Sequence, residues 1–287
     1  MTALTPVEDH GGLLLKREDS LRAPNGVSGK LRAAHHLIRR AVDAGGTHAV
    51  YGGSVQSPAV ARVATMAGLM GVPATIVIGG TTAAKALPKH APVRLAYEAG
   101  AEFREIGVGY NPALQKEADR LAEQPGWFKV GYGVTTAPDA SPQDVRAFLR
   151  VDATQVANLT APTLVLALGS GNTAAAVLHG LLTYDYDATV ESVHLLSVGP
   201  ARWQWVLDRL AYIGHPPIEE WPFTVHVHRL YPDFAKWGDM MSGQVGNVPL
   251  HPAYEGKMLR WLDLNRPAWW TPRDGTVCWW IVGGVIR

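Results

Sequence analysis

Lys30 is the residue of this 287-residue chain whose type and position best suit covalent chemistry. It follows the turn Asn25–Gly29 and begins an amphipathic helical pattern that extends to Ala44. A lysine at a helix start lies beside the positive end of the helix dipole, which disfavours the charged form and makes the amine a better nucleophile. Lys30 alone does not exclude the alternative, a solvated lysine in a first helical turn.

A second chemical signal is the run Gly169-Ser-Gly-Asn-Thr173, between an apolar strand pattern and a helical one. Backbone N–H groups at such a helix start can bind phosphate, and the hydroxyls of Ser170 and Thr173 add donors. The run lacks the Gly-Lys-Ser/Thr ending of a Walker loop, and Ala174 replaces the third glycine of the dinucleotide fingerprint. The phosphate of a smaller cofactor fits better, although a tight turn that needs only small residues is the alternative.

A third signal is Gly52-Gly-Ser-Val-Gln-Ser57, which also opens a helix and offers hydroxyl and amide groups for a carboxylate. A nucleophilic lysine, a phosphate-binding turn and a carboxylate-binding turn together indicate pyridoxal phosphate chemistry on an amino acid.

These residues need elements that position them, and the chain alternates strand and helix patterns. This alternation predicts an α/β protein with a mainly parallel sheet. Strands are predicted at 47–51, 72–78, 101–106, 127–130, 163–168, 192–198, 224–230 and 276–282, and helices at 30–44, 59–71, up to 100, 111–124, 141–159, 174–182 and 255–264.

Composition limits the class of protein. The 26 Lys and Arg residues nearly balance the 25 Asp and Glu residues, so no global basic field indicates nucleic acid or an anionic membrane surface. The single cysteine, Cys278, excludes an internal disulfide and a cysteine-based metal site, and it fits a reducing compartment. No segment reaches about 18 uninterrupted apolar residues, and the N-terminus lacks a signal-peptide pattern. We expect a soluble, cytoplasmic protein.

Histidines and tryptophans raise two further possibilities. His226 and His228 alternate on a predicted strand, but no cysteine or acidic cluster completes a metal site, so half-buried or surface histidines and no metal are expected. Tryptophans are frequent in the C-terminal part, where core or interface anchoring is favoured over stacking on nucleobases. Those after position 220 are Trp221, Trp237, Trp261, Trp269, Trp270, Trp279 and Trp280.

The order and spacing of several motifs resemble the fold-type II pyridoxal-phosphate enzymes, and most of all the branch that contains 1-aminocyclopropane-1-carboxylate deaminase and D-cysteine desulfhydrase. The resemblance covers nearly the whole chain. The motifs are Leu15-Lys-Arg-Glu-Asp19, Gly29-Lys30, Gly52-Gly-Ser-Val-Gln-Ser57, Arg94-Leu-Ala-Tyr-Glu-Ala-Gly-Ala-Glu102, Gly169-Ser-Gly-Asn-Thr173 and His251-Pro-Ala-Tyr-Glu-Gly-Lys257.

The resemblance implies roles for individual residues. Lys30 would form the internal aldimine with pyridoxal 5'-phosphate and move protons at the substrate α-carbon. Ser57 would meet the substrate carboxylate, Tyr254 would face the substrate, and Glu255 would lie beside the pyridine nitrogen and keep the ring a strong electron sink. The implied phosphate site comprises Gly169, Ser170, Gly171, Asn172 and Thr173, and the further substrate contacts are Ser54, Gln56 and Tyr132.

The resemblance also implies an architecture. Two domains would each contain a twisted, mainly parallel sheet flanked by helices, with the active site between them. The large domain would comprise 1–41 and 154–287, the small domain 42–153, and the protein would be a homodimer. The substrate would be a small amino acid or amine.

Some residues depart from the family pattern. Pro58 stands where the family has an asparagine, and Gly131-Tyr-Gly-Val-Thr135 replaces a glycine-rich loop. The reaction therefore stays open between elimination or deamination, racemisation and decarboxylation. Three alternatives also stay open, namely action on an amino acid attached to a nucleobase in DNA, as in phage thymidine hypermodification, a non-catalytic cofactor-binding module, and an ordinary nucleotide-binding protein.

Overall fold

The computed structural model describes residues 3–184, 189–198, 202–230, 234 and 239–283. They group into two compact units, each with its own sheet. We call residues 22–144 the four-stranded unit and residues 3–21 with 145–283 the six-stranded unit. The predicted small domain contains all the strands of the four-stranded unit, which are His48–Gly52, Ala74–Gly79, Glu102–Ile106 and Trp127–Lys129, while its boundaries at 42 and 153 stay a prediction.

The four-stranded unit is a parallel sheet in the order β5-β4-β3-β6. Its strand β4 is apolar and almost wholly buried, as a central parallel strand covered on both faces should be. Its elements are α1 (Leu31–Asp43), β3 (His48–Gly52), α2 (Pro58–Leu69), β4 (Ala74–Gly79), α3 (Ala83–Ala86), α4 (Ala91–Glu98), β5 (Glu102–Ile106), α5 (Asn111–Ala122) and β6 (Trp127–Lys129).

Local sequence explains where these helices begin. Pro58, Pro92 and Pro112 lie in the first turns of α2, α4 and α5, where a missing N–H costs no helical hydrogen bond. Of these three, α2 and α5 begin within six residues of the ends of β3 and β5.

The six-stranded unit has the sheet order β1-β2-β12-β7-β8-β9. The hairpin β1–β2 is antiparallel and the remaining pairs are parallel, with β12 between β2 and β7. Its elements are β1 (Val7–His10), β2 (Leu13–Arg17), α6 (Pro142–Ala153, beginning at the end of the other unit), β7 (Thr163–Leu168), α7 (Asn172–Thr183), β8 (Ser192–Ser197), α8 (Trp203–Tyr212), β9 (Thr224–Arg229), β10 (Gln244–Val245), β11 (Val248–Pro249), α9 (Glu255–Asn265) and β12 (Val277–Ile281).

The α/β class with mainly parallel sheets is confirmed, and most elements lie within a few residues of their predicted bounds. The helix predicted over 141–159 is partly wrong, because α6 ends at Ala153 and a 3₁₀ segment, Thr154–Asn158, follows. Helix α8 was not predicted, although Trp203, Val206 and Leu210 carry the helical apolar spacing. Within the described part of the chain, no helix is long and apolar enough to span a membrane.

The tryptophans are mainly core residues, as expected. Trp279 and Trp280 on β12 are fully buried, and Trp221 is nearly so. Trp261, Trp269 and Trp270 are partly buried and pack against the core of the six-stranded unit, while Trp237 lies outside the described residues.

Candidate active site

Lys30 occupies the N-cap position of α1 with left-handed backbone angles, φ 51° and ψ 19°. A non-glycine residue in this region costs about 1–2 kcal/mol, so its surroundings must hold it there. The preceding loop is fixed on α2, because the Arg62 Nε–H donates to the Ser28 carbonyl at 2.8 Å and the Asn25 amide donates to the Thr65 hydroxyl at 2.8 Å. The helix start expected at Lys30 is confirmed, while its cofactor role stays a prediction.

The turn expected to hold a carboxylate joins β3 to α2. Ser57 is the N-cap of α2, and its hydroxyl makes no capping hydrogen bond. The Ser57 N–H donates to the Ser54 carbonyl at 2.8 Å, and the Gln56 N–H is 3.4 Å from the Ser54 hydroxyl. Ser54 and Ser57 are half-buried and Gln56 is exposed. The turn therefore presents hydroxyl groups at the carboxyl end of β3.

Tyr132 lies at the same edge of the four-stranded sheet. Its hydroxyl accepts a hydrogen bond from the Asn111 amide at 2.9 Å. The Gln115 amide, one helical turn further along α5, donates to the Gly52 carbonyl at 2.7 Å. Lys30, Ser54, Gln56, Ser57 and Tyr132 thus all belong to the four-stranded unit, and α5 joins the Tyr132 loop to the end of β3.

The candidate phosphate turn joins β7 to α7 in the six-stranded unit. Gly171 has φ 87°, and a Cβ at this position would lie 2.8 Å from the Trp205 ring, so both conformation and space require glycine. The first helical hydrogen bond runs from the Ala175 N–H to the Gly171 carbonyl at 2.9 Å. The amides before Ala175 are not used by the helix, and they face the end where the dipole favours an anion.

Tyr254 lies against this turn. It is the N-cap of α9, and a Cβ built on Gly169 would be 3.0 Å from its Cε1 atom. The ring centroid of His251 is 5.0 Å from that of Tyr254, and the His251 Nδ1 accepts from the Ala253 N–H at 3.2 Å. The structure thus brings together two motifs more than 80 residues apart in the chain, the phosphate turn and Tyr254.

Glu255 is fully buried beside the end of β12. Its Oε1 atom accepts from the Val282 N–H at 3.0 Å and from the Gly283 N–H at 2.7 Å. Its Oε2 atom is buried with no hydrogen-bond partner among the described residues. Burial raises the pKa of the Glu255 carboxyl, and the two amides oppose that effect by stabilising the charged form.

An unpartnered buried carboxylate oxygen is costly unless a donor or cation reaches it. A protonated pyridine nitrogen is such a group, and the phosphate turn lies in the same unit as Glu255. These residues therefore fit pyridoxal phosphate. Sequence reasoning missed Arg62, Trp205 and the backbone at 282–283, since only packing identifies them.

The histidines form a cluster with a third member that was not predicted. His194 on β8 is buried, its Nδ1 atom lies 2.9 Å from His228 Nε2, and its ring stacks on Trp269 at 3.8 Å between centroids. His228 is half-buried and His226 is exposed, as expected of half-buried or surface histidines. Burial, followed by the neighbouring His226 and His228, lowers the pKa of His194 to about 3.

The chain is similar to several characterised proteins. It is 27% identical to the O-seryl-dTMP PLP-dependent decarboxylase of Salmonella phage ViI, over 93% of this chain and 77% of that protein. Its fold resembles the crystal structure of an ACC deaminase homologue, with a TM-score of 0.73 at 19% identity over 98% of this chain and 89% of the other. Diaminopropionate ammonia lyase of Escherichia coli in its apo form gives a TM-score of 0.60 at 15% identity, over 99% and 84% of the two chains.

The family model for pyridoxal-phosphate dependent enzymes matches residues 2–210, which is well over half of the sequence. This match agrees with the fold and with the fit of Glu255 and the phosphate turn to the cofactor. The chain therefore belongs to the pyridoxal-phosphate dependent enzyme family, and it is an enzyme whose cofactor is pyridoxal 5'-phosphate.

Proposed function

We propose that this enzyme decarboxylates a seryl group carried by a thymidine nucleotide. The observation that carries the proposal is the similarity to the phage O-seryl-dTMP decarboxylase, which extends over 93% of this chain. The similarities to the deaminase homologue and the ammonia lyase are below 20% identity and concern the fold. We therefore favour decarboxylation over the elimination and racemisation that the sequence left open.

In this reaction the bond between the seryl α-carbon and its carboxylate breaks, CO₂ leaves, and the α-carbon takes up one proton. Bound pyridoxal phosphate supplies an aldehyde that joins the substrate amine and a ring that accepts the electrons of the broken bond. The protein must then hold the cofactor, orient the carboxylate and deliver the proton.

We assign these tasks to residues of the two units. Lys30 holds the cofactor through its amine and, once released, delivers the proton to the α-carbon. The amides of Gly169–Thr173 bind the phosphate, and Glu255 holds the proton of the pyridine nitrogen. Ser57, with Ser54 and Gln56, binds the substrate carboxylate, and Tyr254 contacts the substrate.

The cofactor assignment is tested by absorbance and covalent trapping. Purified wild-type protein should absorb visible light, and borohydride should fix the cofactor to a peptide that contains Lys30. The Lys30→Ala variant should lose both signals. Lys89→Ala, which changes an exposed lysine of the same unit, should retain them. Trapping on a peptide without Lys30 would contradict the assignment.

The reaction is tested with O-seryl-dTMP and with free serine. Mass spectrometry should show the loss of one CO₂ and the retention of the amine for the nucleotide substrate, with much slower turnover of serine. In deuterium oxide the product should carry one deuterium at the former α-carbon. Release of ammonia would refute the proposed reaction in favour of that of a lyase. Equal rates for O-seryl-dTMP and serine would refute the proposed substrate in favour of free amino acids.

The homodimer, the cytoplasmic location and the covalent link through Lys30 stay predictions. Sedimentation analysis of the holoenzyme checks the first, and the trapping experiment checks the third.

A further inference from the structure

Ser28 lies two residues before Lys30 and is completely buried, with 0% of its surface exposed. Its Oγ atom has no hydrogen-bond partner among the described residues. Such a hydroxyl is unfavourable in a folded protein, because it has given up its hydrogen bonds to water and gained none in return. A buried hydroxyl of this kind calls for a bound group that accepts its proton.

The backbone around Ser28 is held by several contacts within the four-stranded unit. Ser28 pairs with Arg22 in an antiparallel bridge, and the Ala23 N–H donates to the Val27 carbonyl at 2.8 Å. The Ser28 carbonyl accepts from the Nε–H of Arg62, a buried residue of α2, at 2.8 Å. The loop and α2 therefore fix the position of Ser28, and its own hydroxyl contributes nothing to that.

The two residues after Ser28 have left-handed backbone angles. Gly29 has φ 71° and Lys30 has φ 51°. Glycine adopts this conformation freely, but lysine does so only under strain, and strain of this kind is concentrated at functional sites. Since two residues span at most about 7 Å of chain, the strained pair keeps Ser28 close to the backbone of Lys30.

The chemistry of pyridoxal phosphate leaves one group in need of a partner. The cofactor carries an aldehyde, a phosphate, a pyridine nitrogen and a ring hydroxyl. The proposed function assigns the aldehyde to Lys30, the phosphate to the amides of residues 169–173 and the pyridine nitrogen to Glu255. The ring hydroxyl, attached to the carbon next to the one that carries the aldehyde, has no assigned partner.

Ser28 has the position and the chemistry that this group requires. A cofactor held by Lys30 brings its ring oxygen, which neighbours the aldehyde, toward the residues around that lysine. The oxygen is ionised readily when the pyridine nitrogen is protonated, and hydrogen bonds to an ionised acceptor are stronger than those between neutral groups. Ser28 is the only residue with a hydroxyl group in the segment 22–30.

We propose that the Ser28 hydroxyl donates a hydrogen bond to the ring oxygen of pyridoxal phosphate. The inference rests on the proposed function, because it requires Lys30 to hold the cofactor, and it adds a cofactor-binding residue to that site. The hydrogen bond stabilises the ionised ring oxygen. It thereby strengthens cofactor binding and favours the form of the bound cofactor that absorbs visible light.

Spectroscopic titration of the full-length apoprotein with pyridoxal phosphate tests the contact. Ser28→Ala removes the hydroxyl and leaves a small side chain, and it should raise the dissociation constant about tenfold or more. Without cofactor this variant should unfold in urea at the same midpoint as wild type, since the lost hydroxyl makes no hydrogen bond within the described part of the chain. A lower midpoint combined with an unchanged dissociation constant would overturn the proposal in favour of a structural role.

Thr75→Val is the matched control. Thr75 is also buried in the four-stranded unit, but its hydroxyl has a partner, the His48 Nε2 atom at 2.8 Å. Removal of this hydroxyl should lower the urea midpoint and leave the cofactor dissociation constant unchanged. The two variants thus separate the loss of a cofactor contact from the loss of a hydrogen bond within the protein.

The absorbance spectrum of the bound cofactor supplies a second readout. The cofactor linked to a lysine absorbs visible light when its ring oxygen is ionised, and near-ultraviolet light when that oxygen carries the proton. Ser28→Ala should raise the ratio of the near-ultraviolet band to the visible band several-fold, because the ionised oxygen loses its donor. A weaker dissociation constant with an unchanged ratio would show that Ser28 does not contact the ring oxygen.

Neither measurement uses a substrate, so both are independent of decarboxylation. Borohydride trapping on a peptide without Lys30 would refute the cofactor link and the Ser28 contact together. Trapping on Lys30, with a dissociation constant and a band ratio in Ser28→Ala equal to those of wild type, would overturn the contact alone. If O-seryl-dTMP is not decarboxylated but Ser28→Ala shows both changes, the proposed reaction fails and the contact is supported.

Discussion

Acid should destabilise the six-stranded unit through His194. This side chain is 3% exposed, stacks on Trp269 and lies beside His226 and His228, and its pKa falls to about 3 from the ordinary 6.5. Because the folded pKa is the lower one, the unfolded chain binds the proton first. Stability is complete above about pH 6.5 and is lost as the pH falls toward 3.

The size of this loss of stability follows from protonation of the histidine in the unfolded chain. At about pH 5, protonation of an exposed histidine with a pKa of 6.5 stabilises the unfolded chain by about 2 kcal/mol, while His194 stays neutral in the folded protein. The free energy of unfolding falls by the same amount. This figure holds for any folded pKa well below 5. His194→Phe keeps an aromatic ring against Trp269 and removes the titrating group.

Urea unfolding followed by tryptophan fluorescence at about pH 7.5 and about pH 5 measures the difference. Wild type should lose about 2 kcal/mol more than His194→Phe between the two conditions. His90→Phe, in the four-stranded unit, should behave as wild type. If wild type and His194→Phe lose the same free energy of unfolding, burial of a neutral His194 is not the cause.

Further predictions concern the cofactor residues. Gly169→Ala should weaken pyridoxal phosphate binding because the new Cβ, 3.0 Å from Tyr254, displaces the ring, whereas Gly107→Ala, which faces open space, should leave the dissociation constant unchanged. Glu255→Gln should raise the cofactor dissociation constant by roughly five- to 100-fold, since an amide cannot accept the pyridinium proton. Spectroscopic titration with pyridoxal phosphate measures this constant. An unaltered constant would show that Oε2 does not contact the cofactor. Arg62→Met leaves the buried Ser28 carbonyl without its donor and should lower the free energy of unfolding in urea by about 1–3 kcal/mol. An equal urea midpoint for variant and wild type would contradict this.

Sequence patterns predicted the strands and helices whose buried residues are apolar and regularly spaced. The apolar strands at 163–168 and 192–198 and the helix starts at Lys30 and Asn111 needed no tertiary information. Strand β1 did not stand out because Val7–His10 is largely polar and is held by pairing with β2.

The residues with chemical groups were found by type and order, but their contacts were not. Nothing in the spacing shows that Tyr254 lies on Gly169, or that Glu255 is held by the amides of 282–283, because both depend on packing across long stretches of chain. Sequence reasoning also looked for nucleobase contacts among tryptophans. Of the six that the structure describes after position 220, three are buried and three are partly buried against the core of the six-stranded unit.

The position of β12 affects how the protein is made. This last strand lies in the interior of the six-stranded sheet, between β2 and β7, and the amides that follow it hold Glu255. During translation β2 and β7 therefore emerge before the strand that joins them, and their sheet stays open until β12 leaves the ribosome. Sequence-distant pairing of this kind folds slowly. We expect tight cofactor binding to appear only once β12 has left the ribosome, so that nascent chains stalled before β12 bind pyridoxal phosphate poorly.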